Sequence, residues 1–178
     1  MSDTLITIIA AFSAVTLMFI FPLMSVSERN DDIAQTAVQT ATSEFVDKIA
    51  VSGSIKPSDY EEYEKRLLAT GNTYDIEIEV QVLDENPGKK GTGATAQDLI
   101  GENVRYSVYT TKILDDMYND DGSSQNFPLK KGDNVIVTAK NTNKTLAQTL
   151  RSFFYKVTGQ GTYQVGASSS SMVINTGK

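Results

Sequence analysis

From Thr4 to Ser27 no side chain carries a charge, and Leu5 to Leu23 reads LITIIAAFSAVTLMFIFPL. A run like this exposes more contiguous apolar surface than a soluble monomer tolerates, so lipid or protein must cover it. The polar stretch that follows keeps a helical apolar stripe instead of breaking into a loop. Its members are Ile33, Ala37, Ala41, Phe45 and Ile49, flanked by Ala34, Val38 and Val46. Spacing of this kind turns one helix face toward a partner surface. One helix is therefore expected over Thr4–Ala50, apolar all round first and amphipathic later. At about 1.5 Å per residue it would be roughly 70 Å long.

Three fates are open to the apolar segment. It is long enough for a transmembrane helix, which needs about 20 apolar residues. As a cleaved signal peptide it fits less well: Met1-Ser2-Asp3 lacks Lys and Arg, and the run exceeds the usual length of roughly 7–15 residues. Ser25-Val26-Ser27 is nonetheless a small-x-small triplet of the kind a signal peptidase cuts. The third fate, which the residues favour, is a helix held first in lipid and then packed against copies of itself.

Composition narrows the chemistry. The chain has no cysteine, which excludes disulfides and thiolate catalysis, and no histidine, which removes the commonest general base and zinc ligand. The formal charge of −6 comes without any cluster of Lys and Arg, so nucleic acid is not an expected partner. No convergent motif is left to support an enzyme or a cofactor.

Beyond Ala50, Gly53 and Pro57 punctuate the chain. Ser58-Asp59-Tyr60-Glu61 reads as a capping box opening a short helix over Asp59–Ala69, with Tyr60, Tyr63, Leu67 and Leu68 inward and Gly71 at its end. Tyr74, Ile76, Ile78, Val80 and Val82 alternate with Asp75, Glu77, Glu79 and Gln81, the period of a half-buried antiparallel strand. Residues 84–102 form a long Gly-rich connection. A second strand is expected from Val104 to about Lys112, and an acidic turn-rich loop over Asp115–Pro128. The turn Lys131-Gly132-Asp133 opens a third strand through Val135, Val137 and Ala139. A helix over Thr145–Val157 should face Leu146, Leu150, Phe153, Phe154 and Val157 inward, and a last strand should run over Thr162–Ile174. The fold class is thus α+β: residues 1–27 a hydrophobic membrane or filament-core helix, 28–50 its amphipathic continuation packing on the head, and 51–178 an antiparallel head domain.

The polar constellations are weak as sites. Asp75, Glu77 and Glu79 read as the solvated face of a strand, since an exposed row does nothing to push two pKa values apart. Asp115, Asp116, Asp120 and Asp121 offer the hard oxygens calcium prefers. Met117, however, stands where an EF-hand register wants its first Asp, and no Glu lies six residues past Gly122. Gly91-Thr92-Gly93 after Lys89 and Lys90 is in the wrong order for a P-loop and reads as flexible loop. Ser168–Ser171 reads as strand. Asn143-Lys144-Thr145 is a formal glycan sequon in a turn where a sugar would be accessible.

Two residues inside the apolar stretch add a family likeness. Pro22 cannot donate to the carbonyl of Met18 and clashes with that turn, so the helix is expected to be interrupted or bent near Met18–Pro22. Asp3 places a carboxylate near the start. Ala10, Ala11, Ser13 and Ala14 allow helices to approach closely, while Phe19 and Phe21 supply bulk. With a β-rich head behind it, this N-terminal region resembles a type IV pilin and the related tight-adherence (Tad, TadE-like) pilins and pseudopilins. The likeness covers about 50 residues in pattern and the head in architecture only.

The resemblance implies a structural subunit that waits in the inner membrane. An assembly machinery of peptidase, platform and ATPase then extracts it into an extracellular, cell-surface homopolymer. It implies that Asp3 neutralises a neighbouring N-terminal amine and that Pro22 marks a stretch able to unwind. The family carries glutamate at its fifth mature position, where this chain has Leu5. The alternative is a membrane-anchored minor pseudopilin, or an adhesive or sensor head, that never polymerises.

Overall fold

The computed structural model describes residues 2–83, 105–118, 123–146, 148, 149, 152 and 165–177. Its architecture is α+β, a long N-terminal helix followed by an antiparallel head. Helix α1 runs over Ser2–Ser52 and passes through Pro22 without interruption. The expected interruption is therefore absent. Proline removes one donor, and hydrogen bonding resumes on both sides in a helix of 51 residues.

The head begins with β1 (Ser54–Ile55) and α2 (Pro57–Leu68), then β2 (Tyr74–Leu83) and β3 (Arg105–Tyr109). It continues with α3 (Thr110–Met117), β4 (Phe127–Pro128), β5 (Asn134–Asn141) and β6 (Gly166–Met172). Four strands form one sheet in the order β3-β2-β5-β6, all neighbours antiparallel, and β1 pairs with β4 beside it. The register sets Ile78 opposite Val137 and Val80 opposite Val135, so the inner face alternates as the sequence implies.

The second half of α1 covers that inner face. Val38, Val46 and Ile49 are wholly buried with Ile78, Val80, Val135 and Val137, and each such side chain contributes about 1.5–3 kcal/mol. The helix lies on the sheet face that carries Ile78 and Val80, mainly over β6 and β5. The reason is in β6: its inward positions are Ala167, Ser169 and Ser171, small enough for a helix backbone to come close. The buried stripe is also rotated. Ala34, Val38, Ala41, Phe45 and Ile49 are buried, Phe45 against Tyr60 and Tyr63 of α2, while Ile33 and Ala37 point outward.

Helix α2 packs on the other flank of α1 and differs from expectation at its start. Pro57 occupies the first turn after Lys56, no side chain caps the end, and the capping box does not form. Tyr60, Tyr63 and Leu67 are buried, whereas Leu68 is exposed because the 3.6-residue period carries it past the α1 contact. The Tyr63 ring stacks on Phe45 at 4.5 Å, and its hydroxyl meets that of Thr42 at 2.8 Å.

The segment after β3 is corrected more fully. The strand stops at Tyr109, and Thr110–Met117 is helical where strand end and acidic loop were expected. Ile113 and Met117, four apart, bury together, and Lys112 bonds Asp116 at 2.6 Å on the outside. Helical spacing of two apolar anchors outweighs local turn chemistry. Of the helix expected over Thr145–Val157, Leu146, Gln148, Thr149 and Ser152 are described and helical, with Leu146 exposed instead of inward. The remainder of that segment, the 84–102 connection and residues 162–164 lie outside the described residues.

A clasp closes the fold. Ile174 donates to the Ala50 carbonyl at 2.9 Å and the Asn175 amide to that of Val51 at 2.8 Å, so the last residues of the chain cap the end of α1. Gly53 turns the chain there with φ +70°, and a methyl group on it would run into the backbone of Asn175 and Gly177. Buried Asp133, whose carbonyl accepts from the Val173 amide beside the clasp, takes further bonds on its carboxylate from the amides of Leu83 (3.0 Å) and Lys130 (2.8 Å).

Gly53→Ala should lower head stability by about 1–2 kcal/mol from the left-handed backbone alone, with the clash adding to it. An unchanged denaturant midpoint would refute this role. Burial raises the pKa of both Tyr60 and Tyr63 above the ordinary 10.0, opposed at Tyr63 by its bond to Thr42. Below pH 10 folded and unfolded chains both hold these protons. Above it the unfolded chain releases protons that the head retains, so stability falls as pH rises. Tyr63→Phe should flatten that decline, and an equally steep fall in the variant would count against it.

Candidate assembly surface

The first half of α1 is exposed along most of its length, with Ile20 and Met24 half-buried on the side that continues toward Val38. Phe12, Met18 and Phe19 are each more than 70% exposed, and Leu5, Ile8, Phe21 and Val26 are exposed as well. It is one helix long and apolar enough to cross a membrane.

Helical geometry sorts the sequence-derived assembly residues. Asp3, Thr7, Ala10, Ala14, Leu17 and Phe21 recur at spacings of four and three and share one face. Ala11 flanks that face, Phe19 lies opposite it, and Pro22 sits to one side. The set does not converge on a single seam, because every direction around the helix is apolar. What the face of Asp3 has in particular is small side chains at Ala10 and Ala14.

At the level of the head the outward face of α1 changes character. Ile33, 62% exposed, and Ala37 form the floor of a groove of about 690 Å³ between α1 and the end of α2. Ala41 and Ala69 line it too, with Arg29 and Arg66 at its rim. Arg66 is ion-paired with Glu44 and Glu62, and Lys48 reaches Asp59 at 2.9 Å. Lys48 and Arg66 are solvated, which weakens their pairs, so apolar burial and not charge holds α1 to α2. Sequence reasoning placed Ile33 and Ala37 inward and so missed the groove.

Two polar ties fasten the start of the docked half of α1 to the head. The Asp31 carboxylate, 8% exposed, accepts a bond from the Thr145 hydroxyl at 2.9 Å. The Gln35 amide bonds both backbone groups of Gly166, donating to its carbonyl at 2.5 Å and accepting from its N–H at 2.9 Å. These links join residues more than a hundred positions apart, and no local pattern announces them.

The remaining candidates do not gather into a site. Among the described residues no group of three His, Cys, Asp or Glu side chains could hold a metal. Asp115 and Asp116 sit on α3, not in a loop, while Asp120 and Asp121 lie outside the described residues. Asp75 and Glu77 are solvated, the latter bonded to Lys140 at 3.0 Å. Asn143 is less accessible than its sequon suggested, since its side chain accepts from the Thr73 amide at 2.8 Å and donates to Asn72. No family model, no curated protein and no solved structure matches this chain.

Because most of residues 3–27 is exposed, with only Ile20, Met24 and Ser27 half-buried, deleting residues 1–27 should leave a soluble monomer with a nearly unchanged unfolding midpoint. Loss of cooperative unfolding, read by circular dichroism, would show that the apolar segment supports the head after all.

Proposed function

We propose that this chain is the repeating structural subunit of a pilus-like filament. One observation carries the reading: a single continuous helix has its second half locked into a folded head and most of its first half exposed. A bare apolar rod on a soluble head is stable only in lipid or among other such rods. The likeness to type IV and Tad-type pilins supplies the order of events. The subunit waits in the membrane through residues 1–27, an assembly machinery of peptidase, platform and ATPase extracts it, and the helices bundle while the heads form an extracellular wall. The assembly residues are Asp3, Ala10, Ala11, Ala14, Phe19, Phe21 and Pro22, and no catalytic step or cofactor enters the reading.

A second reading, an anchored head that never polymerises, draws on the same bare helix. Against it stand Ile33 and Ala37, outward at head level, where a span ending near Val26 does not reach.

Negative-stain microscopy of material sheared from cells that make the chain should show thin filaments, and Asp3→Ala should reduce their yield while the head stays folded. Cells in which all of the protein remains in the membrane fraction would favour the anchored reading.

A further inference from the structure

We propose that the groove between α1 and the end of α2 is the seat for the N-terminal part of α1 from a second copy, with Asp3 of the incoming helix set against Arg29. The proposal rests on the filament reading above and specifies which surfaces meet.

The groove needs an occupant other than lipid. A hydrocarbon core about 30 Å thick is crossed by about 20 residues, which the run from Leu5 to Val26 already supplies. Ile33 and Ala37 stand about 10 and 16 Å beyond Val26 at about 1.5 Å per residue. They are apolar and outward on a stretch whose other outward positions, Asn30, Asp32, Thr36 and Thr40, are polar. Ile8, Phe12, Val15, Phe19, Val26, Ile33 and Ala37 also follow one another along a single exposed helix face. The apolar face of the bare segment thus resumes in the groove, two turns past Val26 and beyond Asn30.

Charge selects the occupant. Asp3 is the first ionisable side chain of the chain and stands alone until Glu28, and Arg29 is the first Lys or Arg and stands alone until Lys48. Neither makes an ion pair among the described residues, whereas Arg66 on the far rim is already matched by Glu44 and Glu62. A carboxylate drawn into a dry helix bundle requires a cation. Within one chain the two are 26 positions apart along a rigid helix, about 39 Å, so they can meet only between copies.

The shapes agree with this offset. With Asp3 beside Arg29 in a parallel packing, Thr7 falls level with Ile33, Ala10 near Ala37 and Ala14 near Thr40 and Ala41. The small face of the incoming helix thus meets the apolar floor, and Ile33 supplies the bulk between Thr7 and Ala10. Alanine against alanine permits the close backbone approach that helix pairs in apolar surroundings use.

The chain has no cysteine, so introduced pairs report cleanly. Filaments of Thr7→Cys/Ile33→Cys should form disulfide-linked dimers and higher ladders on oxidation. Filaments of Phe12→Cys/Ile33→Cys, whose first position lies on the opposite helix face, and of each single variant should not. Because the two positions cannot meet within one helix, any 7–33 link joins two copies. Arg29→Gln should cut filament yield about tenfold or more, and Asp3→Lys with Arg29→Glu should recover most of it. Filaments that form but link at neither pair, or that are indifferent to Arg29→Gln while lost in Asp3→Asn, overturn the seat. They leave Asp3 to an N-terminal amine and the groove to headgroups or another protein, with the filament reading standing. Absence of filaments from the unaltered chain overturns both.

Discussion

Everything in the head depends on how closely α1 can lie on the sheet. The inward side of β6 offers Ala167, Ser169 and Ser171, and the helix settles there with Val38, Val46 and Ile49 in one core with the inner faces of β5 and β2. Bulkier residues on β6 would lift the helix, open a gap above Val137 and Ala139, and remove the wall against which Tyr60 and Tyr63 pack from the other flank. A serine run that looks featureless in one dimension is thus the bed of the longest element. The polar ties at Asp31 and Gln35 set the position of the helix along that bed, while the apolar contacts supply most of the energy.

This arrangement divides one secondary-structure element between two environments. Up to about Val26 the helix is apolar in all directions, and past Glu28 it is apolar toward the sheet and polar elsewhere, except at Ile33 and Ala37. The core of the head is drawn from Ala34 onward, so the exposed segment adds little to it. What they share is direction, since a rigid helix fixes the angle at which the head stands above whatever surrounds residues 3–27.

Much of this was legible in the sequence. The long helix, β2, β5 and the buried Tyr60–Tyr63–Leu67 edge of α2 followed from period alone, because each has several apolar residues on one face. The failures share a cause. The stripe at Ile33 and Ala37 and its neighbour at Ala34 and Val38 both satisfy helical spacing, and only the tertiary partner decides between them. In α3, two anchors at Ile113 and Met117 were too few to compete with the surrounding Asp, Asn and Gly. Pro22 was read by its local cost, which a helix of 51 residues absorbs. The groove was hidden for the same reason as the rotated stripe: its floor was assigned to the core. Nothing in spacing could reveal Gln35 with Gly166 or Asp31 with Thr145.

The clasp at the base of α1 has a mechanical consequence. Ala50 and Val51 are held by Ile174 and Asn175, Gly53 is wedged under Gly177, and the upper part of the docked half is tied through Asp31 and Gln35. A pull along the helix axis would meet these attachments, and the apolar contacts between them, side by side and in shear instead of one after another. Shear shares a load across all of the bonds at once, where unzipping breaks them singly. Tension arriving through the N-terminal rod would be spread over the length of β6 and β5 before any strand could peel away.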